Sequence, residues 1–133
     1  MTLYMVLAFD DFSRDTYAKT ANILRSASIR GVFFVNTGAI RSGDDQELVG
    51  ELAKYHEVGS RSHSHPDLTQ LPLGEALHDL LKSKEVLYEL IGRYASSFAY
   101  PYGRYNDDKV IEAGFTIART VEVNSPLTEK GSV

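Results

Sequence analysis

The chain has 133 residues, 43% of them apolar, which predicts one domain with a real hydrophobic core and excludes a disordered or low-complexity chain. Lys and Arg total 14 and Asp and Glu 18, so the net charge is −4; with no basic stripe, nucleic acid is not an expected partner. There is no cysteine, so disulfides, thiolate metal ligands and cysteine nucleophiles are excluded.

In chain order, Leu3–Phe9 reads as a buried strand closed by Asp10 and Asp11. Thr16–Ser28 reads as a helix, with Tyr17, Thr20, Ala21, Leu24 and Ala27 at three- and four-residue spacing. Gly31–Val35 is a second buried strand, its Phe33 and Phe34 assigned to the core. Asp45–Tyr55 is a helix with Leu48, Val49, Leu52 and Ala53 on one face and Asp44 as its cap. Glu57–Ser60 is a short third strand. Pro72–Tyr94 is the longest helical pattern, its apolar face made of Leu73, Leu77, Leu80, Leu81, Leu87, Leu90 and Ile91. Pro72 suits the first turn of that helix, and Gly92 lies near its end. Ser97–Tyr100 is a fourth strand, Asn106–Ala113 a short helix and Thr116–Thr120 a fifth strand, and the tail 124–133 is expected to be irregular.

Strands and helices alternate without repeat or linker, which predicts a single α/β domain over residues 1–133 with a parallel sheet. The longest apolar runs, Tyr4–Phe9 and Gly31–Val35, fall far short of the roughly 20 residues of a membrane span, so no membrane is expected. The N-terminus lacks the basic region of a signal peptide. A cytoplasmic location is expected for the chain as written, and an extracellular one if a leader has been removed.

Functional loops of parallel α/β folds gather at the carboxyl ends of the strands. Three polar clusters fall there: Asp10-Asp11, the segment Arg61–His65, and Pro101-Tyr102-Gly103. Adjacent carboxylates repel unless a cation lies between them or they point apart, and at a strand end one can bind a metal while the other acts as a base. An alternative is a plain strand end with an Asp capping the next helix. His63 and His65 are two of the chain's four histidines within three residues, suited to metal ligation or proton transfer, or to a polar surface loop. His56 and His78 are read as surface residues. The Pro-Tyr-Gly turn could aim backbone N–H groups at an oxyanion.

Taken together and in order, these segments resemble the polysaccharide deacetylase (NodB homology) family, carbohydrate esterase family 4, from about residue 3 to about residue 123. Ala8-Phe-Asp-Asp11 resembles its T-F-D-D motif and Gly31-Val-Phe-Phe-Val35 its A-T-F-F-V strand. His56-Glu-Val-Gly-Ser60 resembles G-H-E-I-G-x, Ser64-His-Pro-Asp-Leu68 the S-H-P-x-L end of the histidine motif, Phe98-Ala-Tyr-Pro-Tyr-Gly103 the R-P-P-Y-G segment, and Ala113-Gly-Phe115 the A-G-Y before the next strand. The resemblance implies a distorted β/α barrel, here shortened to about five β/α units. It implies metal-assisted removal of acetyl groups from a carbohydrate substrate such as an N-acetylated polysaccharide, with a divalent ion, usually zinc, as cofactor. Asp10 then matches the general base, Asp11 and His65 the metal ligands, and the Tyr102 N–H the oxyanion donor. Pro101 and Tyr100 fall in the substrate-binding segment.

The chain departs from the family pattern in three places. Aligned on His65, the first histidine of the family's H-S/T-x-x-H motif falls on Arg61, and a guanidinium cannot ligate a metal. Either His63 replaces the lost ligand after a reshaping of the loop, or Arg61 pairs with Asp11 and stands in for the metal, as in metal-independent relatives that cleave other C–N bonds. A catalytically degenerate domain that binds a glycan or a partner is the third alternative. Ala99 stands where the family often has an arginine that orients the base, and nothing after Thr120 matches the family's final units. Five strands of a barrel leave two open sheet edges, which could pair two copies as a homo-oligomer.

Overall fold

The computed structural model describes residues 7–103 and 107–119. Five parallel strands are hydrogen-bonded in chain order: β1 (Ala8–Phe9), β2 (Val32–Val35), β3 (Glu57–Ser60), β4 (Ser97–Ala99) and β5 (Ile117–Arg119). The helices between them are α1 (Arg14–Ser26), α2 (Gly43–Tyr55), α3 (Leu73–Ile91) and α4 (Asp107–Glu112). Every crossover steps to the adjacent strand in the same direction, which is the winding of a barrel arc rather than of a sheet that reverses at its centre. The expected α/β class and the curled, barrel-type strand order are both present. The predicted start of the first strand at residues 3–6, Asn106, Thr120 and the tail 124–133 lie outside the described residues. Among the described residues no helix is long and apolar enough to cross a membrane.

The two faces of the sheet differ. Phe33, Val35, Val58, Phe98 and Tyr100 join the main core with Tyr17, Leu24, Val49, Leu52, Leu80 and Leu87 from the helices. Between them, Phe34, Gly59 and Ser97 meet on the opposite face, packed so closely that a Cβ on Gly59 would lie 2.5 Å from the Ser97 hydroxyl and 2.7 Å from the Phe34 ring. Gly59→Ala would therefore force backbone or aromatic displacement in the centre of the sheet.

Helix α2 starts two residues before its predicted beginning. Its cap is Ser42, whose hydroxyl accepts from the Asp45 N–H at 3.2 Å, and not Asp44, which lies in the first turn. Helix α3 ends at Gly92, whose φ of 79° provides the left-handed stop. The face that α3 buries also differs from the expected one: Ala76, Asp79, Leu80, Ser83 and Leu87 are buried, while Leu73 and Leu81 are half exposed. Two polar residues thus occupy the inward stripe, because Asp79 bonds to the loop after β3 and Ser83 to Ser60 at the end of that strand. In α1, Tyr17 and Leu24 are buried as expected, whereas Ala27 lies exposed just past the helix end.

His78 is exposed as read from the sequence, but His56 is not: it is 3% exposed. Its Nδ1 accepts the Gly31 N–H at 3.0 Å, and its ring packs edge-on against Phe33 at 5.1 Å, so it ties the start of β2 to the end of α2. Burial, and then the Arg30 charge, lower its proton affinity below the usual histidine range, while a backbone hydrogen bond with Ala21 acts in the opposite direction. The folded state therefore favours the neutral ring, and an unfolded chain takes up the proton near pH ~6.5. The stabilisation is present above that value and is lost as the pH falls towards the folded-state value. The urea midpoint should drop between about pH 7.5 and about pH 5, and drop less in His56→Gln, which keeps an acceptor for Gly31. An equal drop in both proteins would contradict this role for His56.

Candidate functional site

The carboxyl ends of β1, β3, β4 and β5 bring Asp10, Asp11, Arg61, His65, Tyr102 and Arg119 together. Asp11, Ser62, His65 and Tyr102 all hold left-handed backbone conformations, with φ between 60° and 65°, and Ser28 is the one other non-glycine described residue with positive φ. Such conformations cost about 1–3 kcal/mol each and persist where the surroundings enforce them. Four of the five lie at this one edge of the sheet.

The loop after β3 is enforced by hydrogen bonds to three elements. The Arg61 N–H donates to the Val35 carbonyl at 2.9 Å, extending the ladder one residue past β3. Ser60 Oγ accepts from the Ser62 N–H at 3.1 Å and contacts Ser83 Oγ of α3 at 2.7 Å. Asp79 of α3 accepts from the His63 N–H at 2.9 Å, the Ser64 N–H at 3.1 Å and the Ser64 hydroxyl at 2.5 Å. The carbonyls of Ser62 and His63 accept from Thr37 and Gly38 N–H at 3.1 and 2.8 Å. Gly38 must be glycine there, since a Cβ would lie 2.5 Å from the His63 oxygen.

Within that frame Arg61 is the buried centre, with a side chain only 6% exposed. Its Nε lies 2.8 Å from Asp11 Oδ1 and donates to His65 Nε2 at 3.1 Å. Its Nη1 lies 3.5 Å from Asp10 Oδ2 and, among the described residues, makes no hydrogen bond. The other oxygen of Asp10 pairs with Arg119, whose guanidinium stacks 5.0 Å over Phe34. Beneath β1 and β2, the Tyr17 hydroxyl reaches the carbonyls of Phe34 at 2.6 Å and Phe9 at 3.0 Å. Burial, reinforced by Asp10 and Asp11, pushes this hydroxyl far above the usual tyrosine range, so it remains a donor.

Asp10, Asp11, Arg61, His65 and Tyr102 are thus assembled, with the His65 and Tyr102 rings 4.8 Å apart and edge-on. His63 stands apart: its Nδ1 is engaged by Thr37 Oγ1 at 2.8 Å. Tyr100 and Pro101 are buried; Tyr100 packs edge-on to Phe98 at 5.3 Å, so its side chain serves the core and is not open to a substrate. Tyr102, 60% exposed, is the accessible aromatic of that turn. Among the described residues no three His, Cys, Asp or Glu side chains are grouped to hold a metal ion. Around Arg61 Nε the lone-pair donors are one carboxylate, Asp11, and one imidazole, His65, while Asp10 is turned to Arg61 Nη1 and Arg119, and this set does not fit a catalytic zinc.

Sequence reasoning missed Arg119 and Asp79. Arg119 pairs in register with Ala99, so a guanidinium absent from β4 reaches Asp10 from the neighbouring strand. Only the strand pairing reveals it. Asp79 had a signal: an acid on the inward stripe of an amphipathic helix needs a buried partner. Asp79→Ala should destabilise the fold by about 1–3 kcal/mol and speed amide exchange at His63 and Ser64. Exchange there at the wild-type rate would contradict this anchoring.

A family model described as polysaccharide deacetylase matches residues 3–118. The chain is 27% identical over 114 residues to the peptidoglycan-N-acetylglucosamine deacetylase PgdA of Listeria monocytogenes, covering 85% of this chain and 24% of that protein. Its structure superimposes on the peptidoglycan deacetylase PdaC of Bacillus subtilis with a TM-score of 0.75 at 27% identity, over 83% of this chain and 55% of that one. On the Streptococcus pyogenes deacetylase PplD in complex with acetate the TM-score is 0.79 at 24% identity, over 87% and 55% of the two chains, a likeness of fold. The chain therefore spans about a quarter of the length of the first relative and about half of these solved structures.

Proposed function

The chain belongs to the polysaccharide deacetylase family, and we propose on that premise that it acts on N-acetylated sugars of a polysaccharide by hydrolysing their acetamide C–N bond. Relatives that act on peptidoglycan point to amino sugars of that polymer as the substrate class. The single observation carrying this reading is the convergence of Asp10, Asp11, His65 and Tyr102 at one edge of the sheet, the last three on left-handed backbone.

In this reading Asp10 takes a proton from the attacking water as its oxygen bonds to the acetyl carbon. The Tyr102 N–H donates to the carbonyl oxygen as negative charge builds on it. Breakage of the C–N bond returns the proton from Asp10 to the leaving nitrogen, giving acetate and a free amino sugar. Arg61 acts as a positioning residue that holds Asp11 and His65 and places positive charge beside Asp10. The exposed Tyr102 ring offers a flat face to a sugar.

A second reading, retention of the glycan without turnover, rests on the engagement of both Asp10 oxygens by guanidinium groups, which leaves the carboxylate less free to accept a proton. Acetate release from N-acetylglucosamine oligomers and from peptidoglycan separates the two. Deacetylation predicts release that Asp10→Asn lowers by about 10²–10⁴-fold. No release, with oligomer binding unchanged in Asp10→Asn, would replace it with the binding reading.

A further inference from the structure

We infer that Arg61 fills the third ligand corner of a metal site and so replaces a metal with a cation built into the chain. The inference deepens the reading of this site as that of a deacetylase-family hydrolase and rests on it. Three atoms define the geometry. Asp11 Oδ1 and His65 Nε2 are 3.2 Å apart, and Arg61 Nε lies 2.8 Å from the first and 3.1 Å from the second. Ligand atoms around a tetrahedral zinc, with bonds of about 2.0–2.2 Å, stand about 3.3–3.6 Å from one another. Asp11 and His65 therefore keep nearly the spacing of two zinc ligands, and the third corner of that face is a guanidinium nitrogen.

Arginine Nε lies as many bonds from Cα as histidine Nε2 does. Position 61 thus delivers a nitrogen to the ligand corner, but one that carries a proton and offers no lone pair. Its hydrogen is directed at His65 Nε2 and its charge rests against Asp11. A divalent ion entering between them would meet a second positive charge at contact distance.

The surroundings hold this state. The Arg61 side chain is 6% exposed, so moving it aside for a metal would empty a buried volume and remove one of the two cations facing Asp10. His63 does not join Asp11 and His65: its backbone N–H is held by Asp79, and among the described residues no three His, Cys, Asp or Glu side chains are grouped to hold a metal. Asp10 and Asp11 against Arg61 and Arg119 balance two negative charges with two positive ones.

Calorimetric titration of zinc chloride into wild type, Arg61→His and Arg61→Lys tests this. Wild type and Arg61→Lys should take up no zinc. Arg61→His should bind one zinc at least about a hundredfold more tightly than wild type, and its unfolding midpoint should rise with zinc. Stoichiometric zinc uptake by wild type, lost in Asp11→Asn, would overturn the inference, as would a folded Arg61→His that takes up none. Should Arg61→His fail to fold, the wild-type titration decides alone. Zinc uptake is read independently of acetate release. A wild type that neither binds zinc nor releases acetate supports the inference while sinking the deacetylation reading; one that does both sinks the inference alone.

Discussion

Arg61 is a guanidinium cation sealed under the carboxyl ends of parallel strands, with Asp10 and Asp11 as its counter-charges. Burying such a group is tolerable only with partners in place, and stripping a partner from a buried pair typically costs about 3–5 kcal/mol. The same cation answers the repulsion between two adjacent carboxylates. Asp10 turns towards Arg61 Nη1 and Arg119, and Asp11, at φ 63°, turns back to Arg61 Nε. The strand end, the loop after β3 and the edge strand β5 are thereby fixed relative to one another by charge.

The helices contribute more than apolar cover. Helix α3 presents Asp79 and Ser83 to the 60–64 segment, and α1 presents the Tyr17 hydroxyl to the carbonyls at the ends of β1 and β2. These bonds hold the segment that carries the left-handed Ser62 and His65 and the strand end that precedes Asp11. Strain in the loops is offset by polar groups that the core would not otherwise accommodate. A site arranged this way is preorganised, and its electrostatics are set by the sequence.

Part of the fold was legible because parallel strands buried on both faces are continuous apolar runs: Gly31–Val35 stood out for that reason and matches β2 within one residue, while the short strand read at Glu57–Ser60, which is not such a run, coincides with β3. Helix ends were less legible, since Ser42, Asp44 and Asp45 are all plausible caps and only the observed bond from Asp45 N–H selects Ser42. His56 looked like a surface residue because its partner, the Gly31 N–H, is 25 positions away. At the site, the departure at Arg61 was visible in sequence, and so was its likeness in place to a ligand. The triangle it forms with Asp11 and His65 was not, because it depends on non-glycine residues at positive φ, which no spacing pattern announces. Arg119 was invisible for a related reason: it meets Asp10 across 109 positions, through strand order alone.

Arg61 Nε–H is a hydrogen-bond donor locked into the Asp11–His65 corner. Nitrogen-15 NMR addresses that bond directly. The expected result is a slowly exchanging Arg61 Nε–H with a scalar coupling across the hydrogen bond to His65 Nε2, unchanged by added zinc or by chelator. A rapidly exchanging Arg61 Nε–H without that coupling, or a His65 Nε2 resonance that moves stoichiometrically with zinc, would contradict it.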